Sequence, residues 1–187
     1  VTINLSKGIE KGTLLSLEKV FEELFPNQPY VSLSGPSHAE EVIENTPTTL
    51  VAASKDLSLA ESIQRISSNV LRVYTSTDVI GVESGGALKN VIAIAIGISD
   101  GKGFGDNTKA AIMTRGMNEI LKLGLAMGAK PETYLGLSGF GDLIVTCLSQ
   151  HSRNRRCGEL IGQGCSVSEA KEKVGMVVEG LSTIESA

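Results

Sequence analysis

Residues 81–100 read GVESGGALKNVIAIAIGISD, and this stretch decides how the rest of the chain is organised. It is apolar on nearly every side, which is typical of an element inside a protein rather than on its surface. Its length favours a long buried helix, although the alternation of β-branched residues also fits a strand. One cation, Lys89, lies in the middle of this apolar run, where lysine is seldom found without a partner.

Two interpretations of Lys89 follow from this setting. In the first, its methylene stem lies in the core and its ammonium group reaches water near the end of an element. In the second, it lies at the wall of a pocket, where burial lowers its pKa toward the range of a useful acid or base. The small neighbours Gly85, Gly86 and Ala87 leave room for a substrate or for another backbone. The stretch alone leaves both interpretations open.

The overall composition limits the class of protein. The 187 residues are 41% hydrophobic and 20% charged, which is enough for a sizeable globular core. A net charge of -4 argues against a general nucleic-acid binder. Cys147, Cys157 and Cys165 form no C-x-x-C pair, which indicates a reducing, cytoplasmic setting without disulfides. No secretory leader opens the chain, and the apolar run at 91–98 is too short to span a bilayer, so we expect no membrane insertion.

Strands and helices alternate in the first 78 residues. Strands are predicted at 1–5, 30–33, 48–53 and 71–74, and helices at 14–24, 39–44 and 58–66. We expect the first strand to be buried, Thr13 to cap the first helix, and SLAE at 58–61 to form a capping box. The alternation predicts a mostly parallel sheet with helices packed against it.

After residue 78 the pattern becomes mainly helical. Helices are predicted at 79–98, around 113–121, from Pro131 onward, and after a break at GFG, residues 139–141. A second capping box is predicted for SVSE at 166–169, and residues 176–180 are expected to be extended.

Several common catalytic signatures are missing from the sequence. No G-x-G-x-x-G follows a strand, and GKGFG at 101–105 follows no clear strand. His38 and His151 are the only histidines, so we expect no histidine-based metal site.

The basic cluster SRNRR at 152–156 is more informative. Arginine can grip two phosphate oxygens at once, and serine and asparagine add neutral donors, so the cluster suits an anionic ligand. The alternative is a solvated basic face of a helix. Asp142, after GFG, is either a helix N-cap or part of a site.

Five motifs occur in order along the chain: SGPS at 34–37, GGALKNVIA at 85–93, GFGDL at 139–143, SRNRR at 152–156 and VVEG at 177–180. Together they resemble the bacterial NAD(P)-dependent glycerol-3-phosphate dehydrogenases over essentially the whole chain. In that family a Rossmann half with a glycine-rich fingerprint comes first, and both ends of the present chain look cut. The resemblance implies an α/β segment at 1–78, the C-terminal part of a Rossmann-type domain, followed by an all-α substrate domain at 79–187. We expect this fragment alone to be inactive.

The resemblance also implies roles for individual residues. Lys89 corresponds to the proton acceptor in oxidation and the proton donor in reduction. The implied substrate-binding residues are Lys7, Gly35, Ser37, Lys89, Asp142, Ser152, Arg153 and Asn154. The implied cofactor-binding residues are Lys7, Ala39, Arg153, Val177 and Glu179. Asn90 and Thr146 look like supporting polar residues, and no metal is implied.

The implied function is hydride transfer between NAD(P)H and dihydroxyacetone phosphate or sn-glycerol 3-phosphate, which supplies phospholipid synthesis. A homodimer is implied, with NAD or NADP as cofactor. One alternative is a related two-domain dehydrogenase for another hydroxy acid, against which the phosphate-matching SRNRR cluster argues. The other is a non-catalytic helical dimerisation or binding module, whose nucleic-acid version does not fit the acidic net charge.

Overall fold

The first part of the chain is built on a four-stranded sheet in the computed structural model, which describes residues 1–67 and 69–186. The strands are β1 (Thr2–Asn4), β2 (Tyr30–Ser34), β3 (Thr48–Ala53) and β4 (Leu71–Ser76), in that order across the sheet. β1 pairs with β2 and β3 with β4 in parallel, but β2 and β3 are antiparallel. The sheet is therefore mixed, because the chain between β2 and β3 turns back beside β2 instead of crossing the sheet.

Three helices accompany the sheet: α1 (Leu17–Leu24), α2 (Ala39–Ile43) and α3 (Leu57–Ile66). Two predicted caps were wrong. Ser16 caps α1 in place of Thr13, because Leu14 has a positive φ of 61° and cannot be helical. Asp56 caps α3, so Ser58 lies inside the first turn and forms no capping box. The prediction that the first strand is buried was also wrong, because β1 lies at the edge of the sheet and is largely exposed.

The stretch that opens the second part is one helix, α4 (Val79–Gly101), as its length predicted. The Asp78 side chain caps α4 by accepting a hydrogen bond from the Gly81 amide at 3.0 Å. By length and composition α4 could cross a membrane, but 78% of its most apolar window is buried inside the protein, as in the core helix of a globular domain. The helix interpretation of this stretch is confirmed.

Further helices surround α4: α5 (Asp106–Ala126), α6 (Pro131–Leu135), α7 (Asp142–Leu148), α8 (Arg153–Gly162), α9 (Val167–Val174) and α10 (Glu179–Ser186). The predicted break at GFG is absent from the described structure there, because a π-helical turn at Leu137–Gly141 leads directly into α7. The capping box at Ser166 is confirmed. The prediction that 176–180 is extended was wrong at its end, since α10 begins at Glu179.

The main core lies between α4, α5 and α7, and a second cluster lies between the sheet and α3. Tyr134, Leu143 and Cys147 are fully buried in the main core. All three cysteines are free, and Cys165 is the most accessible of them.

Glycines allow α4 and α8 to touch backbone to backbone. Gly97 and Gly101 are four residues apart on α4, and Gly158 and Gly162 are four apart on α8. A Cβ atom on Gly97 would lie 2.0 Å from a backbone oxygen of α8, and one on Gly158 would lie 2.1 Å from a backbone oxygen of α4. No side chain fits at either position, so the two helices hold a fixed separation.

Candidate active site

A cleft of about 600 Å³ lies between the loops that follow β1 and β2 and the helices α4, α7 and α8. It is lined by all the predicted site residues except Gly35 and Val177, namely Lys7, Ser37, Ala39, Lys89, Asp142, Ser152, Arg153, Asn154 and Glu179. The structure therefore brings together residues that are up to 172 positions apart, from Lys7 to Glu179.

An acidic side chain joins two lysines at the centre of this cleft. Asp142, the first residue of α7, is 1% exposed, and its Oδ2 accepts a hydrogen bond from Lys7 Nζ at 2.6 Å. Its Oδ1 accepts a hydrogen bond from Lys89 Nζ. Because the Asp142 carboxylate turns toward these two ammonium groups, it does not cap α7. Asp142 thus belongs to the cleft, and its N-cap interpretation was wrong.

Lys89 lies at the wall of the cleft and does not reach bulk water. It is only 6% exposed, and its Nζ also donates a hydrogen bond to Thr146 Oγ1 at 2.6 Å. Burial most of all, and then the positive charge of Lys7, lower the pKa of Lys89 from 10.5 to about 8 against the opposing effect of Asp142. Burial therefore prevails over the ion pair. The result is a lysine that is charged at pH 7 and can release its proton close to neutral pH.

Three residues at the start of α8 form the side of the cleft whose chemistry suits an anionic ligand. Ser152 caps α8, and its Oγ accepts a hydrogen bond from the Arg155 amide at 3.2 Å. Arg153 is exposed at the rim of the cleft. Asn154 is buried, and its Oδ1 accepts a hydrogen bond from the Gly180 amide at 2.9 Å, which ties α8 to α10. Asn154 and Arg153 thus line the same cleft as the two lysines.

The rest of the basic cluster has other partners. Arg155 donates from Nε at 2.8 Å and from Nη2 at 2.6 Å to the same Asp100 oxygen, Oδ2. This ion pair fastens α8 to the end of α4. Arg156 is exposed and lies outside the cleft. The cluster is therefore divided among three settings. Ser152, Arg153 and Asn154 line the cleft, Arg155 pairs with Asp100, and Arg156 is exposed.

Comparison with known proteins identifies the family. The family model described as the NAD-dependent glycerol-3-phosphate dehydrogenase C-terminus matches residues 78–187, and the corresponding N-terminus model matches residues 1–60. The chain belongs to the NAD-dependent glycerol-3-phosphate dehydrogenase family. The resemblance inferred from the five motifs is confirmed, and so is the fold class of an α/β segment followed by a helical domain.

Several members of this dehydrogenase family are closely similar. Glycerol-3-phosphate dehydrogenase [NAD(P)+] of Clostridium perfringens is 58% identical over 182 residues, which are 97% of this chain and 55% of the relative. The enzyme of the same name from Listeria monocytogenes is 56% identical, over 98% of this chain and 55% of the relative. The chain thus spans about half the length of the curated relatives that it matches.

Solved structures of the family agree with this fold. The crystal structure of glycerol-3-phosphate dehydrogenase from Coxiella burnetii is 40% identical with a TM-score of 0.94, and the match covers 98% of this chain and 57% of that one. The glycerol-3-phosphate dehydrogenase of Saccharomyces cerevisiae is 31% identical with a TM-score of 0.84, over 98% and 56% of the two chains.

Gly35 and Val177 lie outside the lining of the cleft. Gly35 has a φ of 151°, and a Cβ atom there would lie 2.9 Å from the Thr49 carbonyl oxygen, so only glycine fits. Its own carbonyl accepts a hydrogen bond from Ser37 Oγ at 3.2 Å, which helps place the loop at the cleft. Val177 is 71% exposed beside the lining residues Met176 and Glu179. The ligand contacts of Gly35 and Val177 stay predictions.

The supporting polar residues also have defined positions in the cleft. Thr146 holds Lys89, as described above. Asn90 donates from Nδ2 to Glu179 Oε2 at 3.1 Å and so links α4 to the start of α10.

Two titratable cleft residues that directly neighbour the motifs were not predicted, His38 after SGPS and His151 before SRNRR. Their positions in sequence were the available signal, and they were considered only as metal ligands. Among the described residues, no group of three or more possible metal-binding side chains occurs.

Proposed function

We propose that the protein containing this chain is an NAD(P)-dependent glycerol-3-phosphate dehydrogenase. It transfers hydride between NAD(P)H and dihydroxyacetone phosphate, giving sn-glycerol 3-phosphate for phospholipid synthesis. One observation carries the proposal: a buried lysine with a pKa of about 8 shares a cleft with an arginine–asparagine pair suited to phosphate. A proton donor and an anion-binding group are what reduction of a phosphorylated ketone requires.

Lys89 supplies the proton in this reaction. In reduction its ammonium group donates a hydrogen bond to the C2 carbonyl oxygen and transfers a proton to it as hydride reaches C2. In oxidation the neutral amine accepts the proton from the C2 hydroxyl group. Asp142 keeps Lys89 aimed and charged, and Thr146 fixes it from a second direction. A pKa near the working pH lets Lys89 act in both directions.

Ser152, Arg153 and Asn154 bind the phosphate group at the other end of the substrate. The arginine fork can contact two phosphate oxygens, and the serine and asparagine side chains add neutral donors. These contacts do not touch the reacting carbon. Their binding energy orients C2 toward Lys89, which is the use of remote binding energy that accelerates a chemical step.

NAD or NADP supplies the hydride when it is bound. Lys7, Ala39, Arg153 and Glu179 line the same cleft, and Val177 lies next to it, which supports a role for these residues in holding the nicotinamide end of the cofactor. Lys7 and Arg153 provide the positive charge that suits an anionic cofactor. Lys7 would contact both ligands, because it already reaches Asp142 at the centre.

The remaining expectations stay predictions: a domain boundary between 78 and 79, a homodimer, a cytoplasmic location, and no binding to nucleic acid or insertion into a membrane. A dehydrogenase for a different hydroxy acid would have less use for Arg153 at the cleft. A purely structural module would have no use for a buried lysine with a lowered pKa.

The test of the proposal is Arg153→Lys in the protein that contains this chain, because lysine keeps the charge and loses the fork. A charge-assisted hydrogen bond is worth about 1.5–3 kcal/mol, so kcat/KM for glycerol 3-phosphate should fall roughly 10- to 150-fold. The matched control is Arg156→Lys, outside the cleft, which should change kcat/KM less than about threefold.

Glycerol is the substrate control, since it has no phosphate group and its poor rate should hardly respond to Arg153→Lys. Equal losses for glycerol and glycerol 3-phosphate would show that Arg153 does not bind the phosphate. Absence of turnover in the wild-type protein with both NAD and NADP would refute the proposed function itself.

A further inference from the structure

Two histidines face each other across the cleft. His38 lies in the loop between β2 and α2, and His151 lies just before α8, so they belong to opposite sides. Their ring centres are 6.0 Å apart and the rings are inclined by 53°. The proposed mechanism gives neither of them a role.

One atom of this pair lacks a hydrogen-bond partner. Nε2 of His38 is buried, and within residues 1–67 and 69–186 no group bonds to it. A buried polar atom without a partner is costly, so such atoms are nearly always satisfied in the working state of a protein. His151 is exposed at the rim, next to Ser152, and its imidazole can donate a hydrogen bond from a ring N–H.

The surroundings of His38 keep it neutral at pH 7. Burial lowers its pKa most, and the positive charge of Lys89 lowers it further. The Val145 backbone carbonyl, Glu40 and Asp142 raise the pKa but do not outweigh burial. A neutral imidazole carries one proton and one lone pair, so it can accept a hydrogen bond from another imidazole.

The remaining gap is small. An N–H···N hydrogen bond of about 3 Å between two imidazoles places their ring centres roughly 5.3 Å apart when both nitrogens lie on the line between the rings. The rings therefore need to turn their nitrogens toward each other and to approach by less than about 1 Å. An anion bound by Arg153 would draw in the loop that precedes α8 and carries His151, two residues away, while α8 itself keeps its distance from α4.

We propose that His38 and His151 are positioning residues that join across the cleft when phosphorylated substrate binds, with His151 donating a hydrogen bond to Nε2 of His38. This contact holds Ser152 and Arg153 over the bound phosphate group. The identity of the ligand rests on the proposed function; the contact itself does not.

The first experiment is a double-mutant cycle with His38→Phe and His151→Phe, which keep a ring and remove the nitrogens. Each single variant should raise KM for dihydroxyacetone phosphate roughly 3- to 10-fold, the value of one hydrogen bond, with a smaller effect on kcat. The double variant should be no worse than either single variant, because both remove the same contact. His38→Gln places an acceptor oxygen near the position of Nε2 and should bring KM most of the way back to the wild-type value.

The second experiment measures the contact directly and does not depend on turnover. In ¹⁵N NMR of the wild-type protein at pH 7.5, the Nε2 signal of His38 should move from that of a free acceptor to that of a hydrogen-bonded one when glycerol 3-phosphate or inorganic phosphate is added. The shift should be absent in His151→Phe. An unchanged Nε2 signal with bound ligand, or multiplicative KM losses in the double variant, would overturn the cross-cleft contact. Neither outcome would bear on the hydride-transfer reaction, which wild-type turnover tests separately.

Discussion

Replacing Lys89 with methionine separates the chemical role of this lysine from its structural role. Methionine keeps an unbranched stem of similar volume in the core and removes the group that gives and takes a proton. General acid–base catalysis contributes about 100- to 10,000-fold, so kcat for dihydroxyacetone phosphate should fall by at least about 100-fold. Binding of the substrate should change far less, because Arg153 and Asn154 remain in place.

The same substitution should not destabilise the fold. The Lys89 pKa of about 8 lies below its value of 10.5 in an unfolded chain, and each pH unit is worth about 1.4 kcal/mol. Burying the charged lysine therefore costs about 3 kcal/mol at every pH below about 8, and this cost disappears as pH rises from about 8 to 10.5. Lys89→Met removes the cost, and Asp142 keeps Lys7 as its partner at 2.6 Å.

The assay combines turnover with thermal unfolding at pH 7 and pH 10. Lys89→Met should unfold at or above the wild-type temperature at pH 7, and that advantage should shrink at pH 10. Asp142→Asn is the matched comparison: it leaves two ammonium groups without a carboxylate and should cost about 3–5 kcal/mol, the usual effect of removing one partner of a buried ion pair. Turnover of folded Lys89→Met within tenfold of wild type would refute the acid–base role. Unfolding of Lys89→Met at a lower temperature than Asp142→Asn would refute the energetic argument.

Two further predictions concern stability alone. Glu83 accepts hydrogen bonds from Tyr30 at 2.5 Å and from the Glu18 amide at 3.0 Å, and burial raises its pKa above the ordinary value of 4.5, so the fold favours the protonated form more than the unfolded chain does. The free energy of unfolding of the wild type should therefore fall as pH rises from about 4.5 through the raised pKa of Glu83. Glu83→Gln should raise Tm at pH 7 but change it little near pH 4, which scanning calorimetry can measure. Gly97→Ala should lower the free energy of unfolding by about 1–3 kcal/mol or more in urea titrations, because its methyl group would meet the backbone of α8. Gly105→Ala, at the N-cap of α5 with open space around it, is the control and should cost less than about 1 kcal/mol; a similar loss in both would contradict the close helix contact.

Local sequence patterns predicted which helices and strands form better than they predicted where those elements lie in the fold. The length of the apolar stretch identified α4, and alternation placed β3 at its observed bounds, because both signals depend on neighbours in sequence. Burial of the first strand was mispredicted because the strand is apolar yet lies at the sheet edge, which is a property of the whole sheet. Thr13 failed as a cap because Leu14 adopts a left-handed conformation, which no periodic pattern reveals.

Partners distant in sequence could not be predicted from the residues alone. The resemblance to a family named half of the cleft residues, including Lys89, Asp142 and Asn154. They did not show that Arg155 turns away to Asp100, 55 residues distant, or that His38 meets His151. Such pairings depend on how the helices cross, and hence on contacts such as the one between α4 and α8.

The backbone contact at the glycines of α4 and α8 fixes the distance between the two helices that carry Lys89 and Arg153. α4 carries Lys89 and α8 begins with Arg153, so the span from proton donor to phosphate group is set where two backbones touch. Side chains can change rotamer and widen a pocket, but touching backbones cannot be compressed. In the proposed reaction, a phosphorylated ketone with one more carbon between its carbonyl and its phosphate would therefore have to be accommodated by the Lys89 and Arg153 side chains, because the separation of their helices cannot change.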